Sequence, residues 1–93
     1  EGLLAPYDAL LTPTTPCIAP TIAEVDANDD AYFRWNLRAL RNCGLMNFLD
    51  ACAVTLPCQA AGEAPVGLSV CGVAMSDRRT LAVAAAIERT LAA

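Results

Sequence analysis

Two apolar runs in the second half of the chain restrict its fold more than any other feature. Residues 51–58 read A-C-A-V-T-L-P-C and residues 66–73 read V-G-L-S-V-C-G-V, and the Gly- and Pro-containing stretch 59–65 between them predicts a turn or loop. Short, nearly continuous apolar runs are typical of strands that are buried on both faces. Such strands need helices above and below them, so the sequence predicts a layered α/β fold.

A third strand is predicted near the N-terminus. The apolar residues 9–11 predict a strand over residues 8–12, and the sequence Thr-Pro-Thr-Thr-Pro forms its exit. Proline fixes its own φ angle and restricts the residue before it, so Thr12 and Thr15 are expected to be held rigidly outside any helix. Because ligands collect where the strands of α/β proteins end, this polar segment is a candidate for lining a site.

The middle of the chain predicts a helix. Asp29 or Asp30 is suited to the N-cap position, and residues 23–30 as a whole are acidic and weakly patterned, which predicts an exposed connection. Gly44 is expected to interrupt this helix before a short helical segment at residues 45–49. The expected buried stripe has the spacing i, i+4, i+7 and consists of Phe33, Leu37 and Leu40.

A second helix is predicted over residues 78–91, with Asp77 as its N-cap, because this alanine-rich stretch has a strong helix propensity. Its expected core stripe is Leu81, Ala84, Ile87 and Leu91. The predicted order of elements is therefore strand, loop, helix, strand, strand, helix.

The chain has too little interior to bury its apolar residues. Its 93 residues are 56% hydrophobic and 17% charged, although a domain of this size has a high ratio of surface to volume. Two helices also cannot cover three strands that are buried on both faces. We therefore expect residues 1–93 to be a partial domain whose missing layers come from the N-terminal part of the same protein. The alternative is a small non-catalytic interaction module that buries its apolar strands in an oligomer, such as a homodimer.

Charge and composition exclude several classes of function. The net charge is −4, and the six basic residues are arginines that form no basic patch, so nucleic-acid binding is not expected. No apolar run is long enough to span a membrane and no signal-peptide pattern is present, so a cytoplasmic location without a membrane partner is expected. The glycine patterns that bind nucleotides are absent as well, and no cofactor is expected.

The five cysteines do not form a recognisable framework. Their number is odd and no C-x-x-C motif occurs, which favours reduced, packed cysteines over disulfides or a metal site. Cys58, directly after Pro57, is a conceivable reactive thiol, but the chain contains no histidine that would activate it. With neither histidine nor lysine present, no residue of this chain is predicted to be catalytic.

Four segments, taken in order, resemble the C-terminal part of the amidase signature family, which includes the amidase-type component of glutamyl/aspartyl-tRNA amidotransferases. They are Y-D-A-L-L-T-P-T-T-P at residues 7–16, N-F-L-D-A-C-A-V-T-L-P-C at 47–58, A-P-V-G-L-S-V-C-G at 64–72 and D-R-R-T-L-A-V-A-A-A-I-E at 77–88. Each motif is weak alone, but their common order and spacing make the resemblance specific.

The resemblance implies an α/β/α sandwich with a mixed sheet and hydrolysis of a small carboxamide by the full-length enzyme. Its nucleophilic serine, second serine and lysine base would lie upstream of this chain. The resemblance further implies that Thr12, Thr15 and Pro16 face the acyl pocket, and that the loop around Asn42 and Asn47 packs close by. For the threonines, a purely loop-stabilising role is the equally weighted alternative.

One departure from the family bears on the substrate. The glutamine-dependent members carry an acidic residue upstream of the Asn in their N-L-A-G-L-P motif, which holds the ammonium group of the substrate. The corresponding place in this chain is Leu40. The resemblance is therefore closer to stand-alone amidases than to enzymes that hydrolyse glutamine for transfer RNA.

Overall fold

The computed structural model describes residues 3–92, which form three strands and three helices. In chain order these are β1 (Leu10–Pro13), α1 (Ile22–Asp26), α2 (Asp29–Phe48), β2 (Cys52–Pro57), β3 (Gly67–Gly72) and α3 (Asp77–Ala92). The mixed α/β class predicted from the sequence is thus confirmed. The additional helix, α1, lies in the stretch for which an exposed connection was predicted.

The strands form one sheet in the order β1-β3-β2, and both pairs are antiparallel. The parallel neighbours of a mixed sheet are not seen among residues 3–92. The central strand β3 is the most buried, since Ser69, Val70, Cys71 and Gly72 are all buried. In β2, by contrast, burial alternates along the strand, so the expectation of burial on both faces holds for one strand only within this chain.

The register separates the two faces of the sheet by chemistry. Leu11, Val70 and Val54 lie directly opposite one another across the three strands, and α3 packs on this apolar face. Thr12, Ser69 and Thr55 form the neighbouring row. Because successive side chains of a strand point to opposite faces, this hydroxyl row lies on the face away from α3.

The core between α3 and the sheet is small and differs from the predicted stripe. Its buried centre consists of Leu56, Val70 and Ala84, with Val83 and Ile87 packed against it. The expectation that Leu81 and Leu91 belong to this core is wrong, because their side chains are 59% and 47% exposed. The buried position beside Leu81 is Thr80, whose hydroxyl can be buried because it lies within hydrogen-bond distance of Ser76 Oγ and Cys52 Sγ.

Helix α2 continues through Gly44, where an interruption was predicted. Asn28, rather than Asp29 or Asp30, caps it, because Asn28 Oδ1 accepts a hydrogen bond of 2.8 Å from the N–H of Ala31. A single glycine in a helix costs about 1 kcal/mol relative to alanine, which the flanking turns tolerate. The predicted burial of Phe33, Leu37 and Leu40 is also wrong, since all three side chains are exposed, whereas Ala31 and Met46 are buried.

The short helix α1 starts at a capping box that the sequence already contains. The hydroxyl of Thr21 accepts from the N–H of Glu24 at 3.2 Å, and the carboxylate of Glu24 accepts from the N–H of Thr21 at 3.2 Å. The pattern T-x-x-E at residues 21–24 is the signal that predicts such a helix start.

Candidate functional site

Three hydroxyls meet on the open face of the sheet. Thr14 Oγ1 lies 2.7 Å from Ser69 Oγ and 3.5 Å from Thr55 Oγ1, and Thr55 Oγ1 lies 3.4 Å from Ser69 Oγ. We refer to Thr14, Thr55 and Ser69 as the hydroxyl cluster. Its members come from the exit of β1, from β2 and from β3, so only the folded sheet brings them together.

The exit of β1 is fixed from two sides. The N–H of Thr14 donates to the carbonyl of Gly67 at 3.0 Å, which continues the pairing with β3 beyond Pro13. From α2, Asn42 Nδ2 donates to the carbonyl of Pro13 at 2.8 Å, and Cys43 Sγ lies 3.6 Å from the carbonyl of Thr14. The structure therefore brings Asn42 to the Thr-Pro segment, although it lies on a helix and not on the predicted loop.

The hydroxyl cluster opens into a cleft between the sheet and α2 with a volume of about 250 Å³. We call this space the hydroxyl cleft. Its polar lining consists of Thr12, Thr14, Asn42, Asn47, Thr55 and Ser69. These groups are neutral, and the remaining lining residues are also uncharged. Hydroxyl and amide groups both donate and accept hydrogen bonds, so the cleft suits a neutral polar group rather than an ion.

The three residues predicted from the sequence do not share one hollow. Thr12 lines the hydroxyl cleft, whereas Thr15 and Pro16 line a separate hollow of about 190 Å³ beside Val66. The hydroxyl of Thr15 donates to the carbonyl of Cys17 at 2.9 Å, the local bond of a loop-stabilising threonine. A third, more open hollow is lined by Thr15 together with Thr14 and Thr55. The hollow beside Val66 and the hydroxyl cleft therefore both adjoin the hydroxyl cluster.

Sequence reasoning missed the cluster itself. Thr14 stands inside the Thr-Pro segment that was singled out, between the predicted Thr12 and Thr15. Thr55 and Ser69 stand inside the apolar runs, where each is a lone hydroxyl. A polar residue in a strand that is otherwise apolar is the available signal, but the strand register is needed to show that Thr55 and Ser69 are neighbours.

Leu40 does not line the hydroxyl cleft. This residue stands where glutamine-dependent family members carry their acidic residue. It lies two residues before Asn42, and two helical residues are separated by about 200° around the axis. Asn42 faces the sheet, and Leu40 is exposed on the outer side of α2.

A second polar cluster lies at the start of α3, on the apolar face of the sheet. Cys52 Sγ is 3.3 Å from Ser76 Oγ and 3.2 Å from Thr80 Oγ1. The hydrogen bond with Ser76, followed by that with Thr80, lowers the pKa of the Cys52 thiol. The adjacent Gly72 has no room for a side chain, since a Cβ there would clash with Thr80 Oγ1 and would lie 2.6 Å from Ser76 Oγ.

No metal site is visible among residues 3–92. This region contains no group of three or more metal-ligating side chains, and its five cysteines are all free thiols. Cys58 is exposed, and its Sγ lies 3.5 Å from the carbonyl of Val66. Across the same residues, no helix is both long and apolar enough to cross a bilayer.

Comparisons with known proteins point to one family. The family profile described as Amidase matches residues 1–81. The chain is 35% identical over 82 residues to 2-amino-5-chloromuconic acid deaminase from Comamonas testosteroni, which covers 87% of this chain and 18% of that protein.

Two further relatives are components of glutamyl-tRNA(Gln) amidotransferases. The protein from Pseudothermotoga lettingae is 33% identical over 87 residues, covering 94% of this chain and 18% of the relative. The protein from Sulfurisphaera tokodaii is 28% identical over 91 residues, covering 98% and 18%. No solved structure matches the chain. The chain therefore spans 18% of the length of each of these relatives.

Proposed function

Because the chain belongs to the amidase family, we propose that it is the C-terminal segment of a hydrolase that breaks the C–N bond of carboxamides. The small fraction of each relative that it spans, 18%, supports a role as one part of a larger catalytic domain. In this proposal the three antiparallel strands join the larger mixed sheet of an α/β/α sandwich. The free thiols of its cysteines agree with a reducing, cytoplasmic location.

The observation that carries the proposal is the hydroxyl cleft. A carboxamide has one acceptor oxygen and N–H donors, and the neutral hydroxyls and amides around this cleft can serve both. We assign Thr12, Thr14, Thr55 and Ser69 to the wall of the substrate pocket. Thr15 and Pro16, proposed from the sequence, would extend this wall through the adjoining hollow.

The segment would be inactive alone. A hydroxyl becomes a nucleophile in hydrolases when a neighbouring base removes its proton, and this chain contains neither histidine nor lysine. The hydroxyls of Thr14, Thr55 and Ser69 face one another and no carboxylate lines their cleft. The nucleophile and base would be supplied by the upstream serines and lysine that the family resemblance implies.

The substrate is proposed at the level of a small neutral carboxamide. The relatives' names include a deaminase of an amino-substituted muconic acid and a component of an amidotransferase, so one specific amide does not follow from them. The uncharged lining of the cleft favours an acyl group without a positive charge.

The test measures ammonia release from a panel of carboxamides by the longer protein that carries this segment. We expect hydrolysis by that protein and none by residues 1–93 alone. Ser69→Ala and Thr55→Val should raise KM about two- to tenfold, because a neutral hydrogen bond contributes about 0.5–1.5 kcal/mol. Thr90→Val is the matched control, since its hydroxyl bonds only the carbonyl of Ala86 within α3.

Two outcomes would contradict the proposal. Hydrolysis by residues 1–93 alone would show that the upstream residues are not needed. Equal KM values for the cleft variants and for Thr90→Val would remove the hydroxyl cleft from the substrate pocket.

The second candidate function is the non-catalytic interaction module. It is favoured by the exposed apolar side chains of α2, which would suit a partner copy. Sedimentation of residues 1–93 separates the two candidates. A compact, cooperatively unfolding dimer supports the module, whereas aggregation, or solubility only in the presence of the upstream polypeptide, supports the amidase segment.

A further inference from the structure

Thr14 holds the hydroxyl cluster together. Its Oγ1 lies 2.7 Å from Ser69 Oγ, the distance of a strong hydrogen bond between two hydroxyls. The contacts of Thr55 Oγ1 with Thr14 Oγ1 and Ser69 Oγ are longer, at 3.5 and 3.4 Å, and are therefore weak. Thr14 directly follows the last residue of β1. The shape of the cluster therefore depends on how firmly the chain is held at Thr14.

The peptide unit between Pro13 and Thr14 is held at both of its ends. Its carbonyl, from Pro13, accepts a hydrogen bond of 2.8 Å from Asn42 Nδ2, and its N–H, from Thr14, donates to the carbonyl of Gly67 at 3.0 Å. A trans peptide unit is planar, and its C=O and N–H point in opposite directions. The two bonds, which we call the peptide clamp, therefore fix this plane between α2 and β3. They also fix the position from which the Thr14 side chain leaves the backbone.

Gly67 has a second role in the peptide clamp, because it leaves room for Thr14. A Cβ at position 67 would lie 2.8 Å from Thr14 Oγ1, 3.1 Å from Thr14 Cβ and 2.9 Å from Thr55 Cγ2. The φ angle of Gly67 is not positive, so its backbone conformation does not require glycine. The close approach of Thr14 to the sheet explains the missing side chain instead.

The chemistry of the clamp requires a neutral amide on α2. The carbonyl of Pro13 needs a donor, and an ionised carboxylate at position 42 would offer none. The other end of the same amide, Asn42 Oδ1, lies 3.4 Å from Arg41 Nε. Both ends of the Asn42 side chain are thus in contact with this chain, which favours an indirect role in the hydroxyl cleft over direct binding of a ligand.

We propose that Asn42 and Gly67 are positioning residues of the substrate pocket, which act through the peptide clamp by holding the hydroxyl of Thr14 against that of Ser69. The inference rests on the proposed function, because it takes the hydroxyl cluster as part of the wall of that pocket. Neither residue has to touch the substrate. The effect of each on substrate binding passes through Thr14.

Hydrogen–deuterium exchange tests the clamp independently of catalysis. In the longer protein that carries this chain, Asn42→Ala should raise the exchange rate of the Thr14 amide at least fivefold, because the Pro13–Thr14 peptide loses one of its two bonds. Mass spectrometry with fragmentation that resolves single residues measures this rate. An unchanged rate in Asn42→Ala would overturn the proposal.

Asn28→Ala is the matched control for Asn42→Ala. Asn28 also forms a hydrogen bond of 2.8 Å between its side chain and the backbone, at the start of the same helix. It lies 14 residues before Asn42, about 21 Å along the helix axis. The variant should lower the urea midpoint of unfolding through the lost cap but leave the exchange of the Thr14 amide unchanged. A rise as large as in Asn42→Ala would reduce the role of Asn42 to general stability and overturn the proposal.

A double-mutant cycle on amide hydrolysis tests the route through Thr14. Asn42→Ala and Gly67→Ala should each raise KM about two- to tenfold and change kcat by less than twofold, whereas Asn28→Ala should change neither. In a Thr14→Ala background, Asn42→Ala should change KM by less than twofold, because the hydroxyl that it displaces is gone. A full effect in that background would overturn the proposal in favour of direct contact between Asn42 and the substrate.

The two measurements separate the positioning role from the proposed function. If the longer protein hydrolyses no carboxamide while Asn42→Ala still raises the exchange of the Thr14 amide, the proposed function fails and the clamp stands. Hydrolysis with equal KM values in the parent and in Asn42→Ala would overturn the positioning role alone. The Asn42 variants decide both points if Gly67→Ala fails to fold.

Discussion

Asp50 is a strained residue at the end of α2. Its φ angle is 55°, in the left-handed region that favours glycine. The N–H of Asp50 bonds the carbonyl of Asn47 and the N–H of Ala51 bonds that of Met46, both at 3.0–3.1 Å, which together form a Schellman motif. The motif satisfies two carbonyls of the last turn, so the fold keeps this conformation although aspartate adopts it at a cost.

Asp50→Gly is therefore expected to stabilise the fold. Glycine removes the Cβ penalty of about 1 kcal/mol, and Asp50→Ala should destabilise by a similar amount because alanine adopts the left-handed region less readily than aspartate. Urea unfolding midpoints measure both variants. A lower midpoint for Asp50→Gly than for the parent chain would contradict this account.

The Cys52 thiol leads to a pH-dependent prediction. Hydrogen bonds with Ser76 and Thr80 lower its pKa below the ordinary value of 9.0. Alkylation of Cys52 by iodoacetamide should therefore reach half its maximal rate below pH 9.0, and Ser76→Ala should move this midpoint upward. Peptide mass spectrometry at several pH values measures the effect, and an unchanged midpoint in Ser76→Ala would refute it.

The lowered pKa of Cys52 also determines how its contribution to the stability of the fold changes with pH. A folded-state pKa below the unfolded value stabilises the fold fully above the unfolded value, and this contribution is lost as pH falls through the folded pKa. Burial raises the pKa of the Cys71 thiol, and its contribution is opposite, since it is present below pH 9.0 and is lost at more alkaline pH. The two thiols thus oppose each other in alkaline solution.

At the scale of elements, two glycines have different reasons for their presence. Gly72, in β3, lies against Ser76 and Thr80 at the start of α3, and a Cβ would clash with both hydroxyls. Gly44, in α2, faces open space in this chain. The first glycine is required by packing between β3 and α3, whereas no contact among residues 3–92 requires the second.

Substitution of these two glycines by alanine gives a prediction in which each variant is the control for the other. Gly72→Ala should destabilise the longer protein that carries this chain by about 1–3 kcal/mol because the two hydroxyls must move. Gly44→Ala should leave its stability unchanged or raise it by up to about 1 kcal/mol through helix propensity, because a Cβ there meets nothing within residues 3–92. Denaturant unfolding of both variants of the longer protein tests this, and a loss of stability in Gly44→Ala would show that this position is packed against another part of the protein.

At the scale of the whole molecule, the segment is expanded for its length. Its radius of gyration is 15.3 Å, whereas a compact domain of this length has about 12 Å. The extents of 45 × 33 × 17 Å describe a thin slab, with α3 on one face of the sheet and the end of α2 on the other. A layer this thin leaves apolar side chains such as Leu11 and Leu37 exposed, as expected for one part of a thicker sandwich.

The sequence alone determined the type of each main element, and the order of four motifs indicated the family. Local patterns set the elements, because the apolar runs, the prolines and the alanine-rich stretch act through their own backbone preferences. Helix ends were less well predicted. The Asn28 cap and the continuation through Gly44 depend on differences of about 1 kcal/mol between competing local conformations.

Only the tertiary structure decided the candidate site and the two-sided character of α2. Thr14, Thr55 and Ser69 are up to 55 residues apart along the chain, and a shift of one residue in the strand register would have placed Ser69 on the α3 face instead. Likewise, periodicity showed that Phe33, Leu37 and Leu40 share one side of a helix. It could not show which side the rest of the chain covers, because that choice is made by the contacts of Asn42 and Met46 with the sheet and the exit of β1.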